Sequence, residues 1–310
     1  MQKHRLLTTL FAVVLLLTPI ASAVRADPMA PRMENVPADS QLHTWPDPQN
    51  ISSSPAVDSE APALAATSTG MTHVVWEEDG ALYHSYRDGQ VWSEPSPIPH
   101  ASAAESPVLA AVEDTVHLVY VHAIDIYHLS WNGVVWSLPK NVSQTSQVSD
   151  MPDLTVGSDG TLYVAWAEAN GDIYYGQSTG GAVWSSSFLP SAEGSTPAVA
   201  VDADGSIQVA WQEDWYTGQP EIHYSRREEG TWSLPQNISF TPESDSTTPD
   251  IAVDSSGNTH LVWQETISAT TQIQYSKRTT GWSDPLSLSG DTQDAFAPSL
   301  VVDPEDRLHV

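Results

Sequence analysis

The chain repeats itself, and that constrains its fold more than any other feature. Trp136 to Ser146 reads WSLPKNVSQTS, and Trp232 to Pro242 reads WSLPQNISFTP. Tryptophans in this setting recur at Trp45, Trp92, Trp136, Trp184, Trp232 and Trp282, with gaps of 47, 44, 48, 48 and 50 residues. A second series lies between them, with its prolines at Pro62, Pro107, Pro152, Pro197, Pro249 and Pro298. Each of these runs resembles "PAVAVDADGSIQVAW": a Pro-led apolar run, a turn, and a second apolar run ending in an aromatic residue. After it come a short run such as "IHYS" and then the tryptophan segment.

Each unit therefore reads as four short strands punctuated by Gly, Asp, Asn and Pro. Runs such as "HLVW" are apolar at successive positions, which suits strands covered on both faces. No segment shows a sustained helical period. Four strands per 45–50 residues, repeated, predict an all-β chain folded as a β-propeller. The expected blades are about 55–97, 98–143, 144–191, 192–240 and 241–290, with an incomplete blade at 291–310. Residues 41–54 carry a lone fourth-strand signature around Trp45, so the expected form is six-bladed with a split closing blade. Residues 291–310 supply only the opening of that blade, so the sequence reads as truncated at its C-terminal end.

The first 23 residues stand apart. Lys3, His4 and Arg5 precede an apolar run from Leu6 to Ile20 and the triplet Ala21-Ser22-Ala23. This is the layout of a secretory signal peptide cleaved near Ala23, with 24–40 as a linker. The run is short for a membrane span, and nothing after it is apolar enough to cross a bilayer. The expected location is secreted, extracellular or at the cell surface. There is no cysteine, so the fold has no disulfide and no thiolate metal site to draw on. With 39 acidic against 11 basic residues, the chain lacks the basic face that nucleic acid or an anionic membrane requires.

The run P-x-l-x-V-D-x-x-G-x-x-x-V-x-W, then I-x-Y-S, then Gly and Trp, resembles the bacterial neuraminidase repeats of the sialidase superfamily. Those six-bladed propellers carry an Asp-box, Ser-x-Asp-x-Gly-x-Thr-Trp, between the third and fourth strands. The boxes here are degenerate. Asp88 is one place late, Asn132 replaces the aspartate in the second copy, and the fifth copy is one residue short, whereas glycine and tryptophan persist. The resemblance covers residues 41 to 310 and implies an exo-α-sialidase. Such an enzyme grips a sugar carboxylate with three arginines and uses a tyrosine–glutamate nucleophile pair. Arg87, Arg227 and Arg278 instead follow Ser85, Ser225 and Ser276 by two places, which puts them in turns on the opposite face. The enzyme reading survives only with Tyr216, Glu213 and Glu221 as weak catalytic candidates and with further catalytic residues beyond Val310.

In a repeat, a residue present in every copy serves the scaffold, and a residue that breaks the pattern is the better functional candidate. Glu78, Glu168, Glu213 and Glu265 stand two places after the second-strand aromatic, where the second copy has His122. Their recurrence points to blade-to-blade hydrogen bonding, and the turn at Asp202–Gly205 reads as a hairpin rather than a calcium loop. The sequons at Asn50, Asn141 and Asn237 recur between blades, which again suggests structure. The connection from second to third strand is longest in the fourth and fifth copies. In the fourth it places Trp215 and Tyr216 in the polar stretch "EDWYTGQPE". Exposed aromatics on a loop over a rigid scaffold suit sugar stacking or a protein partner. The candidate ligand-binding set is Trp215, Tyr216, His122 and Glu213, with no metal and no cofactor. The expected function is a non-catalytic propeller binding an extracellular glycan or surface polymer. The alternatives are a protein-interaction scaffold or the sialidase.

Overall fold

A computed structural model describes residues 47–89, 91–213, 218–267, 269–290 and 292–310. Contacts divide the chain into Met1–Asn50 and Ile51–Val310, and the architecture below is that of the second unit. The expected signal peptide, the linker and Trp45 lie outside the described residues.

The unit is a β-propeller of four-stranded antiparallel blades. Blade 1 comprises β1 (Ser59–Ala66), β2 (Thr72–Glu78), β3 (Ala81–Asp88), β4 (Val91–Trp92) and β5 (Ser96–Ser102), the last two both pairing with β3. Blade 2 comprises β6 (Ala104–Val112), β7 (Thr115–His122), β8 (Asp125–Trp131) and β9 (Lys140–Asn141). Blade 3 comprises β10 (Ser149–Val156), β11 (Thr161–Glu168), β12 (Asp172–Thr179) and β13 (Ser185–Glu193). Blade 4 comprises β14 (Ser195–Val201), β15 (Ile207–Glu213), β16 (Glu221–Glu228), β17 (Thr231–Trp232) and β18 (Gln236–Asn237). Blade 5 comprises β19 (Ser246–Val253), β20 (Thr259–Ile267), β21 (Thr270–Arg278) and β22 (Leu286–Ser287). The hairpin of β23 (Val301–Val302) and β24 (Leu308–His309) opens a sixth.

First strands abut in series, β1 on β6, β6 on β10, β10 on β14, β14 on β19 and β19 on β23. The core is accordingly a series of slabs, each between two blades. One slab joins Ile173 and Tyr175 of blade 3 to Val199, Val209 and Trp211 of blade 4; another joins Ile222 and Tyr224 to Leu261 and Trp263 of blade 5. Fully burying an aliphatic or aromatic side chain contributes about 1.5–3 kcal/mol. A slab therefore outweighs any single polar fastener at about 1 kcal/mol.

The repeat also sets a backbone kink. The residue before each first-strand proline is left-handed: Ala61, Ser106, Met151, Thr196, Thr248 and Ala297 have φ between 46° and 54°. In the five complete blades the register of first on second strand slips there, a β-bulge. Neighbours fasten at this level. Asp153 accepts the Val199 N–H at 2.7 Å and Asp250 accepts that of Leu300 at 2.6 Å. Burial pushes the Asp250 carboxyl up to about 7, and the Asp153 charge adds to the effect.

The tryptophans that reveal the period are blade-to-blade bolts. Trp136 lies edge-on to His84 of the preceding blade with centroids 5.1 Å apart. Trp184 meets His128 at 5.4 Å, Trp232 meets Tyr175 at 5.3 Å and Trp282 meets Tyr224 at 5.0 Å, all edge-on. Arg227 and Arg278 lie over the same two tyrosines, and in blade 2 Trp131 takes the arginine's place against His84. Edge-to-face pairs contribute about 0.5–1.5 kcal/mol beyond the area they bury.

Candidate functional site

Backbone hydrogen bonds define the face where the sequence candidates lie. The N–H groups of Ala103, Ser149, Gly194, Ser246 and Ala295, all in or at the end of interblade linkers, donate to the carbonyls of Gly80, Ile124, Gly171, Pro220 and Thr271. The first four carbonyls belong to the second-to-third connections and Thr271 stands at the start of β21 next to its own, so linkers and connections share one face, the linker face. The first-to-second and third-to-fourth turns occupy the other, the turn face.

On the linker face the repeated glutamate has a definite job in three blades. Trp76 Nε1 donates to Glu78 at 2.9 Å, Trp166 Nε1 to Glu168 at 2.8 Å and Trp263 Nε1 to Glu265 at 3.0 Å. Hydroxyls of the incoming linker complete the carboxylate's shell. Ser54 and Ser59 donate to Glu78 at 2.7 and 2.8 Å, and Thr145 and Ser149 to Glu168 at 3.0 and 2.9 Å. Burial works to raise the Glu78 carboxyl, but the hydrogen bonds from Trp76, Ser54 and Ser59 outweigh it and hold the group below its ordinary value. Burial holds Glu265 above its ordinary value against the Trp263 hydrogen bond, and the charge of Glu221 adds to the rise.

Blades 2 and 4 break this arrangement. In blade 2, Tyr120 and His122 replace Trp and Glu, Ala104 stands in the serine's place, and His122 Nδ1 is buried without a partner. Its ring lies edge-on to Tyr127 at 5.7 Å. In blade 4, Trp211 is 0% exposed and its Nε1 has no partner among the described residues. Glu213 instead stands 3.4 Å from His223 Nδ1. The serine's place is taken by Gly194, where a Cβ would fall 2.0 Å from the Gln212 carbonyl oxygen. Glu221 faces Glu213 across the strand pair and is held from below by the Ser239 hydroxyl and by the Thr241 N–H at 3.0 Å.

Of the sequence candidates, Glu213 and Glu221 are thus together in blade 4, and His122 is two blades away on the same face. Trp215 and Tyr216 lie outside the described residues. The long connection of the fifth copy proves to be no loop: β20 and β21 continue pairing as far as Ile267 with Thr270. The extra residues extend a hairpin because Thr266, Ile267, Thr270 and Thr271 are β-formers.

Sequence reasoning passed over Phe240 and Phe296, which are 79% and 63% exposed in the linkers on this face. Phe240 also has a left-handed φ of 47°, where the sister turn carries Gly290. Its N–H donates to Asn237 Oδ1 at 2.8 Å, as that of Gln144 does to Asn141 Oδ1 at 2.9 Å. The recurring sequon asparagines therefore brace linker turns. The departure from Ser, His, Gln and Gly at this one turn position was the available signal.

On the turn face the aspartates of the first-to-second-strand turns are satisfied locally, while Arg226 Nε and Trp282 Nε1 are buried without a partner among the described residues. Asp202 Oδ1 accepts the N–H groups of Asp204 and Ser206, and its Oδ2 pairs with Arg226 at 2.7 Å. Asp254 and Asp303 do the same in their own turns. A cavity of about 210 Å³ opens here between the turns of blades 3, 4 and 5, lined by Ser158, Asp202 and Asp254, and it contains none of the sequence candidates. Among the described residues, no group of three or more His, Cys, Asp or Glu is placed to hold a metal ion.

No family model matches the sequence, and no curated protein matches it significantly. Solved structures do match the fold. A lectin from Burkholderia pseudomallei superposes with a TM-score of 0.59 at 15% identity, covering 76% of this chain and 71% of the lectin. A polysaccharide lyase, an ulvan lyase, gives 0.57 at 12% identity, covering 79% of this chain and 75% of that one. A mutant of NanB sialidase from Streptococcus pneumoniae gives 0.56 at 11% identity, covering 84% of this chain and 66% of the sialidase. At these identities the likeness is one of fold, and the fold is a β-propeller.

Proposed function

We propose that this chain is a secreted, non-catalytic carbohydrate-binding propeller, whose linker face takes an extracellular glycan or surface polymer. The observation that carries the reading is the double break in the Trp–Glu–Ser arrangement. Blades 2 and 4 leave His122 Nδ1 and Trp211 Nε1 without partners, at a position where three other blades satisfy every polar atom. Leaving a buried polar group unpaired costs about 1–3 kcal/mol, and a polar ligand on this face would offset that cost. The signal-peptide layout of residues 1–23 supports export, and the lectin among the similar folds is consistent with sugar binding.

A sialidase would need guanidinium groups on the same face, because bidentate forks grip a sugar carboxylate. Among the described residues, every arginine stands on the turn face, engaged with carboxylates or aromatic rings. A glycan array tests the proposal. The wild-type protein is expected to bind a defined set of glycans, with signal lost in Trp215→Ala and reduced at least tenfold in His122→Ala. Turnover of α-sialosides, or an array blank at every glycan, would overturn it. The exposed Phe240 and Phe296 favour a protein-interaction scaffold as the second reading in the blank case.

A further inference from the structure

Two asparagines in the chain precede a glycine, at Asn132–Gly133 and at Asn170–Gly171. A glycine in that place leaves its main-chain nitrogen unshielded by a Cβ and free to turn toward the asparagine side chain. Both asparagines are exposed. In an unfolded chain the two dipeptides are chemically alike, so any difference in their fate comes from the fold.

The fold treats them differently. Asn132 lies in the third-to-fourth-strand turn of blade 2, where its Oδ1 accepts the N–H groups of Val134 at 3.1 Å and Val135 at 3.0 Å. Two donors aimed at one carbonyl oxygen form an oxyanion hole, and their hold strengthens as negative charge develops there. The Gly133 N–H has no partner among the described residues, and a Cβ on Gly133 would meet nothing within 4 Å. Asn170 lies in the second-to-third connection of blade 3. Its Oδ1 accepts a single N–H, that of Asp172 at 3.2 Å, and its Nδ2 donates to the Asp172 carboxylate at 2.7 Å. The Gly171 N–H donates to the Glu168 carbonyl at 2.8 Å, and the Gly171 carbonyl accepts the Gly194 N–H at 2.7 Å. An N–H held in this way reacts only when its bond opens.

We infer that Asn132 is a site of spontaneous deamidation in the folded protein and that Asn170 is protected. The Gly133 nitrogen gives its proton to hydroxide and bonds to Asn132 Cγ, and the negative charge moves onto Oδ1, between the Val134 and Val135 N–H groups. The Cγ–Nδ2 bond then breaks, and Nδ2 takes a proton from water and leaves as ammonia, closing a succinimide. Water opens that ring at either carbonyl, giving aspartate or isoaspartate with no change of oxidation state. The aspartate product suits the fold. Blade 1 carries Asp88–Gly89 at the same distance before Trp92 as Asn132–Gly133 stands before Trp136, and both glycines are left-handed, with φ of 76° and 94°. The isoaspartate product adds a methylene to the main chain ahead of Trp136, whose ring caps His84 of blade 1, and so slackens that junction.

Incubation of the folded protein in mildly alkaline buffer tests this, with peptide mapping to follow both sites and chromatography to separate aspartate from isoaspartate. Asn132 is expected to convert at least tenfold faster than Asn170. In concentrated urea the two rates are expected to fall within about threefold of each other, with Asn132 no faster than in the folded protein. Gly133→Ala is expected to slow conversion of Asn132 at least tenfold and to leave Asn170 unchanged. Should that variant fail to fold, the comparison of folded with urea-unfolded wild type carries the test alone. Equal rates at the two sites in the folded protein, a tenfold ratio that persists in urea, or faster conversion of Asn132 unfolded than folded would overturn the inference. Asn132→Asp is expected to melt as fresh wild type does, and protein enriched in isoaspartate at position 132 to melt lower than either. Equal melting of all three would overturn the slackened junction.

Discussion

Histidine pairs buried between strands decide how the molecule meets acid. His73 Nδ1 lies 3.0 Å from His84 Nε2, and His117 Nδ1 lies 3.0 Å from His128 Nε2, each pair stacked and buried. One ring of each pair must donate and the other accept, which requires the accepting ring to be neutral, and two protonated rings would face each other N–H to N–H. Burial lowers His73 and His117 to about 4; burial and the neighbouring ring together lower His84 and His128 to about 3. The unfolded chain takes up these protons near pH 6.5, before the folded one does. Stability is therefore full above about pH 6.5 and is lost progressively as the pH falls toward 4 and 3. Blade 5 shows the remedy, because His260 Nδ1 there bonds the Tyr275 hydroxyl at 2.8 Å. His84→Tyr is expected to keep the melting temperature at pH 7 within about 3 °C and to reduce its drop between pH 7 and pH 5. Thermal melts at the two pH values check this, and an unchanged drop would count against the pairs as the acid-sensitive element.

Third-to-fourth-strand turns carry the bolts, and they are sensitive to volume as well as to dihedral angle. Gly180 and Gly181 are adjacent, with φ of 71° and 73°. A Cβ on Gly180 meets nothing within 4 Å, whereas one on Gly181 would fall 2.1 Å from the His128 ring of the preceding blade. Gly180→Ala is expected to cost about 1–2 kcal/mol, the left-handed penalty alone. Gly181→Ala adds loss of the His128–Trp184 contact and should cost clearly more in urea denaturation. The pair of measurements separates backbone strain from interlock. This level was half legible in the sequence. The repeated tryptophans and glycines announced the turns, because a ring and a permissive backbone recur wherever a blade must reach its neighbour. The His, Tyr and Arg that receive the ring change identity from blade to blade, so they share no letter to align. The broken arrangement in blade 4 was hidden for a different reason. Glu213 keeps the repeat's residue, and only Gly194, a residue remote in the chain and missing a hydroxyl, reveals that its role has changed.

At the scale of the whole molecule, 39 acidic against 11 basic residues leave a formal charge of −28. The described lysines and arginines other than Lys140 stand at the turn face, so negative charge is concentrated toward the other side of the propeller and self-repulsion acts there. Raising NaCl from about 10 mM to about 300 mM shortens the screening length from about 30 Å to below 8 Å. The melting temperature is expected to rise by several degrees, and a fall would mean that paired charges, not repulsion, dominate. The period, the strand content and the all-β class were all readable from spacing alone, because one geometry serves every copy. The bolts also have a direction: in blades 1 to 4 the third-strand ring is capped by the turn of the blade that follows it in the chain. On a ribosome, the cap for any blade emerges about one repeat later than the ring it covers. The growing polypeptide must then carry one uncovered aromatic socket forward at each step, advancing like a ratchet from the N-terminal blade. A pause in synthesis would strand that socket open for a chaperone or a wrong neighbour to fill.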